Sequence, residues 1–189
     1  MKIIIPLVAF AVGALLVFVV VGNKGGSGNI SPQQMADAIH IVLDSDRTVY
    51  TKKIVNRLAN EKKVIEADEH WEDNDALLLP AQMFRAGSEL VQKKSKDFSY
   101  ALLSLWPINS QNKPKTPVEE EGLKAVEKNP NQPFYKKETL GGKPYFTAVY
   151  PDVAVSQACV TCHNEHKDSP RDDFELNEVM GGVVIRIPL

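Results

Sequence analysis

Cysteine is scarce in this sequence, because the 189 residues include only Cys159 and Cys162. Two thiols exclude a disulfide-dense scaffold, a four-cysteine zinc site and a cysteine-ligated iron–sulfur cluster. An excess of one charge is also missing, since 22 basic and 24 acidic residues leave a formal net charge of −2. A basic surface for nucleic acid is therefore not expected, and we predict no nucleic-acid partner. With 43% hydrophobic residues, the chain is too apolar to be disordered throughout.

Charge is absent from residues 3–22, a run of 20 residues. At about 1.5 Å per residue, a helix of this length just crosses a hydrocarbon core of about 30 Å. A cleaved secretory signal has a shorter apolar core and a small-x-small cleavage site, and the ending Val19-Val20-Val21-Gly22 is a poor one. We therefore predict an uncleaved transmembrane anchor over residues 1–24, with the N-terminus inside and the body outside. Residues 25–30 follow as a flexible, Gly-rich tether.

Helix starts are clearly marked in the exported body. Ser31-Pro32 with Gln34 forms a capping box and predicts a long helix to about Lys63, since neither Gly nor Pro interrupts it. Pro80 predicts a second helix to about Lys94. A second capping box, starting at Thr116, predicts a helix that stops near Asn129.

The last third of the chain has strand patterns. Residues 134–139 and 144–150 flank Gly141-Gly142 as a hairpin, and residues 98–106 and 183–187 predict two further strands. Residues 152–180 between them are predicted to be a long irregular excursion. This order predicts an α+β domain over residues 31–189, with a long N-terminal helix and flanking helices on one side of an antiparallel sheet.

The predicted first helix has two stripes that we expect to be buried. One stripe mixes polar with apolar residues, and the other is apolar. In order, the stripes are His40, Leu43, Arg47, Tyr50, Ile54 and Leu58, and Met35, Ile39, Val42 and Val49. Because buried polar groups need partners, the mixed stripe marks this helix as a candidate part of a site.

Both cysteines belong to one motif, Cys159-Val160-Thr161-Cys162-His163. This is the attachment pattern of c-type haem, in which two thiols form thioethers with the vinyl groups and the adjacent imidazole ligates the iron. The motif predicts one covalent haem c per chain, held by Cys159 and Cys162 with His163 as the proximal metal ligand. Since c-type haem is attached outside the bacterial cytoplasmic membrane, the motif agrees with export and predicts an inner-membrane protein whose body lies in the periplasm.

Other uses of the motif are weaker. A structural disulfide gives His163 no role, and a thioredoxin-like redox pair belongs at a helix N-terminus in a βαβ unit. Zinc would need His166 as well, and adjacent Cys162 and His163 are awkward as two vertices of one tetrahedron. A small mitochondrial-type cytochrome has its motif near the N-terminus. A cytochrome c-prime carries it on a terminal helix, whereas a β-branched strand follows here.

The sequence resembles a known family, the single-haem, PAS-like extracytoplasmic domains. These domains occur as free cytochrome-like proteins and as input domains of some histidine kinases and chemoreceptors. The resemblance implies a PAS-like fold with haem between the sheet and the long N-terminal helix. Some members take the sixth iron ligand from that helix as a cysteine, and this chain has no third cysteine. The matching stretches are Asp46 to Thr51, Leu79 to Arg85, Phe98-Ser99, Gly141 to Tyr145, Ala158 to His163, and Gly181 to Val184.

Without a third cysteine, the distal position of the iron has to be filled by another group or left open. His40 is the first candidate, because it shares a helix stripe with Arg47 and Tyr50, and Met83 is the alternative. His70, Met35 and a solvent ligand or an open position are further candidates. Propionate-pairing candidates are Arg47, Arg85 and Arg171, with Arg47 favoured because its helix face is predicted to be buried. Tyr50 is predicted to donate a hydrogen bond at the same site.

The prediction of function rests on the haem motif and on the absence of recognisable catalytic motifs from the sequence. A catalytic triad, a phosphate loop and paired carboxylates are not evident, so we do not expect an enzyme. Two protein ligands to the iron would mean electron transfer or redox sensing, and one would leave room for nitric oxide, carbon monoxide or oxygen. We expect a redox or signalling partner protein, and a homodimer through the long helix in the sensing case.

Overall fold

The computed structural model describes residues 29–189. The predicted anchor over residues 1–24 and most of the predicted tether lie outside this range. Within it, no helix is both long enough and apolar enough to cross a membrane. The α-helices are Pro32–Val49 (α1), Pro80–Lys94 (α2), Pro117–Lys128 (α3) and Gln157–Glu165 (α4). The strands are Ser99–Leu103 (β1), Phe134–Leu140 (β2), Lys143–Val153 (β3) and Val179–Pro188 (β4), and a 3-10 turn covers Ser110–Asn112.

α1, α2 and α3 begin at the positions that the capping residues and prolines of the sequence predicted. At α1 the Ser31 hydroxyl accepts a hydrogen bond from the Gln34 amide (3.1 Å), and the Gln34 side chain accepts one from the Ser31 amide (2.9 Å). Thr116 and Glu119 form the same reciprocal pair at α3. Each pair satisfies amide groups that the first turn of a helix leaves without partners, so these starts are fixed locally.

The long first helix changes its hydrogen bonding at Tyr50. It continues from α1 without a break as a π-helical segment, Tyr50–Glu61, in which amides bond to the fifth residue back. At its end the Lys62 amide donates to the Arg57 carbonyl (2.9 Å). π-helix is rare in proteins and occurs mostly as single turns inside α-helices, and such turns are frequent at functional sites. The predicted extent of the helix is confirmed, whereas its π-helical second half was not predicted.

The four strands form one antiparallel sheet in the order β1-β4-β3-β2. The predicted α+β class is thereby confirmed. The β2–β3 hairpin turns at Gly141 and Gly142, with φ of 56° and 78°. Both values lie in the left-handed region, which glycine enters without a steric penalty and which a tight hairpin turn of this hand requires.

The expectation that the helices cover one side of the sheet is wrong, because both faces are covered. α1 and α2 pack on the face that carries Tyr150 and Ile185, and α3 packs on the opposite face against Val149 and Val184. Successive residues of β3 and β4 point to opposite faces of the sheet. Because the residues on both faces are apolar, both faces are buried by helices.

The predicted burial of the apolar stripe on α1 is only partly correct. Met35 and Ile39 pack against the core beside the sheet. Val42 and Val49 are 59% and 57% exposed, and Ile41 beside them is 65% exposed. α1 therefore contacts the sheet through a narrower face than its sequence indicated.

Candidate functional site

The Cys-x-x-Cys-His motif lies on α4, a short helix inside the excursion that was predicted to be irregular throughout. The expectation of an irregular loop is wrong at this point. Cys159 is half-buried and Cys162 exposed, and both thiols are free. Because residues three apart lie on the same side of a helix, the two thiols are presented together.

His163 directs its ring into the protein. Its ring meets Phe174 edge to face, with centroids 5.9 Å apart at 89°. Burial lowers the pKa of His163 to about 4, with Arg47 and His166 contributing through their charges. The ring is therefore neutral at neutral pH, which is the form that ligates a metal. Its Nδ1 atom is buried without a hydrogen-bond partner.

Asn164, the residue after the motif, fixes the aromatic ring beside His163. Its side chain accepts a hydrogen bond from the Phe174 amide and donates one to the Phe174 carbonyl, both at 3.0 Å. The Arg171 guanidinium lies over the same residue's ring, 4.3 Å from its centroid. Arg171 itself pairs with Asp173 and Glu178. Phe174 is therefore held through its backbone by Asn164 and through its ring by Arg171, and this ring is the one against which His163 packs.

A cleft separates α4 from the π-helical segment. Its volume is about 370 Å³, and it is lined by Asn56, Asn60, Gln157, Ala158, Thr161 and Cys162. That volume falls in the range of ligand sites, about 300–1,000 Å³. The second thiol of the motif therefore faces an open space bounded by the N-terminal helix.

His40 lies on α1 against the sheet, with its ring stacked on Tyr150 at a centroid distance of 3.9 Å and an angle of 9°. The Tyr150 hydroxyl donates to Asp37 (2.6 Å), and the Tyr135 hydroxyl donates to the same oxygen (2.7 Å). Burial lowers the pKa of His40, against the opposing charges of Asp44 and Asp37. Its Nε2 atom is buried without a partner. His40 is thus a neutral imidazole whose ring is oriented by a tyrosine.

Arg47, the favoured propionate partner, is paired with a carboxylate of the protein. Its Nη1 and Nη2 atoms donate to the two oxygens of Asp152, the second at 3.1 Å. Only 11% of the Arg47 side chain and 9% of the Asp152 side chain are exposed. The Nε atom of Arg47 remains buried and unpaired. A second anion could therefore still be bound by Arg47, either at Nε or in exchange for Asp152.

Tyr50 does not meet Arg47 through its hydroxyl, which donates to the Leu78 carbonyl (2.8 Å). Burial raises the pKa of Tyr50. Met83 is half-buried on α2. The structure thus places Tyr50 as a link between the long helix and the chain leading into α2.

The remaining sequence candidates have other partners. His70 is 69% exposed, with its Nε2 3.5 Å from Glu69, and Glu69 also approaches His166 at 3.8 Å. Arg85 pairs with Glu89 on the surface of α2. Met35 packs against the core. Across residues 29–189, no three His, Cys, Asp or Glu side chains converge on a common metal position.

The described residues contain a small set of buried polar side-chain atoms that have no hydrogen-bond partner. They are four in number: His40 Nε2, Arg47 Nε, Thr51 Oγ1 and His163 Nδ1. Three of them belong to the long helix, and the fourth belongs to the motif. Buried polar side-chain atoms in proteins are nearly always hydrogen-bonded, so such a group indicates a missing polar partner.

Several of these residues could not be found from the sequence. Thr51 lies within a stretch that carries the family resemblance, but its hydroxyl gave no separate signal. Asp152 and Tyr150 are 105 and 110 positions from their partners Arg47 and His40, a separation that no local pattern records. Phe174 could have been suspected only as a lone aromatic residue in a polar stretch.

Comparison with known proteins identifies the family to which this chain belongs. The protein-family description "Tll0287-like: Tll0287" matches residues 29–188. The chain belongs to the Tll0287-like family. The sequence-based resemblance to single-haem, PAS-like domains is confirmed at this level. A search of curated proteins gave no significant match.

The fold of this Tll0287-like chain also matches a solved structure. The crystal structure of the cyanobacterial haem protein Tll0287 superposes with a TM-score of 0.55, and the alignment covers 84% of this chain and 96% of that one. Sequence identity over the match is 13%, so the likeness establishes the fold alone.

Proposed function

We propose that this Tll0287-like chain carries one covalent c-type haem and acts in single-electron transfer or redox sensing at the outer side of the inner membrane. The observation that carries the proposal is the arrangement on α4. Two free thiols sit beside a neutral, partly buried imidazole, next to a cleft and to unpaired buried polar atoms. The relative of solved structure, Tll0287, is a haem protein, which supports the same assignment.

Each group has a defined part in the proposal. Cys159 and Cys162 would hold the haem covalently, and His163 would ligate the iron, oriented by the Phe174 ring. Bound in this way, haem iron supplies reversible uptake of one electron. The buried surroundings of the iron and the hydrogen bonds that fix its ligands would determine the free energy of adding an electron, and hence the reduction potential of the haem.

We propose His40 as the distal ligand. It has an unpaired, buried Nε2, a lowered pKa, and a ring fixed by stacking on Tyr150. Met83 remains the alternative. Arg47 is the favoured propionate partner, through its unpaired Nε or by exchange with Asp152. The proposal includes no enzymatic reaction, and the expected partner is a redox or signalling protein.

Localisation follows from the sequence of residues 1–30. The uncharged run at residues 3–22 would keep the chain in the inner membrane with its body in the periplasm. We expect the full chain to remain with membranes after a high-salt wash. Recovery in the soluble fraction would instead favour a cleaved signal.

Haem attachment is tested on the full chain produced with c-type maturation. Wild-type protein and Thr161→Ser, a conservative change between the two cysteines, should keep their Soret band after acid–acetone extraction. Cys162→Ser should lose stable covalent haem. Haem that survives extraction in Cys162→Ser, or a wild-type chain with no Soret band, would remove the proposal.

The distal ligand is tested by absorption and resonance Raman spectra with and without carbon monoxide. If His40 ligates the iron, His40→Ala should convert the ferric spectrum from low-spin to high-spin, and Met83→Leu should leave it unchanged. The reverse pattern assigns Met83. If the wild-type chain is high-spin and binds carbon monoxide readily, the distal position is open and the gas-sensing alternative is favoured.

A further inference from the structure

The outer side of α1 is an apolar surface without a partner in the described part of the chain. Ile41, Val42 and Val49 are more than half exposed, and Ala38 and Ser45 are exposed on the same side of the helix. Positions 38, 42, 45 and 49 are spaced four, three and four residues apart. This is the spacing of the contact positions in a two-stranded coiled coil. We call these four residues together with Ile41 the α1 seam.

The α1 seam lies opposite the candidate site. His40 and Arg47 are seven residues apart and occupy the heptad position furthest from positions 38, 42, 45 and 49. Their side chains face the sheet, where they meet Tyr150 and Asp152. The helix therefore has a polar, buried side for the site and an apolar, exposed side turned away from it.

Charge does not interrupt the α1 seam. Asp37 is held by two tyrosine hydroxyls and Arg47 by Asp152. Asp46 lies at the edge of the seam, in a heptad position that faces Ile41 of a parallel partner helix. Pairing two copies in this way brings no like charges together.

We propose that a second copy of this chain packs in parallel against the α1 seam. Valine at both 42 and 49 is compatible with this occupant, because parallel two-stranded coiled coils place β-branched residues at this contact position. Ala38 and Ser45 are small and let the helices approach closely. The direction follows from the sequence before α1. If residues 3–22 anchor both copies in one membrane, both α1 helices begin near the same surface.

The shortness of the α1 seam explains why a membrane matters. From Ala38 to Val49 it spans about 17 Å of helix, less than two heptads. Pairing of so short a segment is weak between freely diffusing chains. Confinement to one membrane raises the effective concentration of the partner, and this converts a weak contact into a populated dimer.

The test uses the full, haem-loaded chain in lipid vesicles, prepared from an equal mixture of ¹⁴N- and ¹⁵N-labelled protein. An amine-reactive cross-linker should join Lys52 to Lys52 and Lys53 to Lys53 of different copies, since both lysines are exposed just beyond the seam. Residues 29–51 contain no lysine. In an antiparallel pair over the seam, the two copies of Lys52 lie about 25 Å apart along the helix axis. A cross-linker with a spacer much shorter than this therefore cannot produce these mixed-isotope links in an antiparallel pair, and their absence from the wild-type chain would overturn the proposal.

Variants assign the contact to the α1 seam. Val42→Glu with Val49→Glu should reduce the mixed-isotope links at least about tenfold. Ser45→Leu, which adds apolar surface at a contact position, should increase them several-fold. Leu90→Glu is the matched control, because Leu90 is also exposed (53%) but lies on α2. Equal loss in Leu90→Glu and in the double variant would contradict the assignment.

Two further readouts keep the outcomes distinct. Far-UV circular dichroism and the Soret band show whether each variant is folded and loaded, and Ser45→Leu tests the seam even if the double variant fails to fold. Links from Lys24 to Lys52 within one chain would show that the preceding segment covers the seam, and would also overturn the proposal. If the chain washes off membranes, the proposed anchor fails, and cross-linking in concentrated solution still tests the seam.

Discussion

The Arg47–Asp152 pair allows a quantitative test of the site in the haem-free chain. Replacing Asp152 by Asn, or Arg47 by Met, leaves one charged or strongly polar group buried without its partner. Removing one member of a buried ion pair typically costs 3–5 kcal/mol. For a domain of this size, about 2–4 °C of melting temperature is lost per kcal/mol, so each single variant should melt about 6–20 °C below the parent.

The assay is a double-mutant cycle. The parent is Cys159→Ser with Cys162→Ser, which cannot carry covalent haem, and Arg47→Met, Asp152→Asn and their combination are added to it. Urea unfolding followed by circular dichroism gives the free energy of unfolding of each. The double variant should cost less than the sum of the two single variants by at least about 1 kcal/mol, because it leaves no unpaired charge.

Two results would refute this reasoning. Single variants that cost less than about 1 kcal/mol would place the pair among exposed salt bridges, in conflict with its burial. Strictly additive costs would show that Arg47 and Asp152 do not act as a pair. The same cycle in the haem-loaded chain should show weaker coupling if Arg47 turns to a propionate there.

Two further predictions concern the surroundings of the candidate ligands. Burial and Asp37 raise the pKa of Tyr150, so its contribution to stability is complete below about pH 10 and is lost as pH rises through the raised value. Tyr150→Phe should therefore lose less stability in urea between pH 8 and pH 11 than the wild type does, and an equal decline in both chains would contradict this. Asn164→Ala leaves the amide and carbonyl of Phe174 unpaired and should cost about 1–3 kcal/mol in urea unfolding, whereas a cost near zero would show that Asn164 does not hold Phe174.

Much of the secondary structure could be predicted because its signals are local. Ser31 and Thr116 mark helix starts through contacts with residues three positions away, and Gly141-Gly142 marks a turn through its backbone alone. The α+β class follows from the order of these elements. The same local reading gave the Cys159, Cys162 and His163 motif, whose spacing is set by chemistry and not by the fold.

What could not be predicted depends on contacts between distant parts of the chain. The side of the sheet that α3 covers is decided by packing of Val149 and Val184, and no local pattern fixes it. Val42 was expected to be buried because its stripe is apolar, but the sheet reaches only the neighbouring face of α1. Asp152, which pairs with Arg47, lies 105 positions away from it.

The position of β4 in the sheet has a consequence for how the molecule is made. β4 lies between β1 and β3 in the sheet, yet it follows α4 in the chain. β1 can therefore pair only after β4 has been synthesised, as the pairing of Ser99 with Arg186 shows. Chains emerge from the ribosome and cross membranes vectorially, at about 5–20 residues per second during synthesis. Cys159 and Cys162 therefore emerge while the sheet still lacks a central strand. If haem is attached as proposed, the chain order gives a maturation enzyme a period in which both thiols are reachable before β4 completes the sheet, and Cys162 stays exposed afterwards.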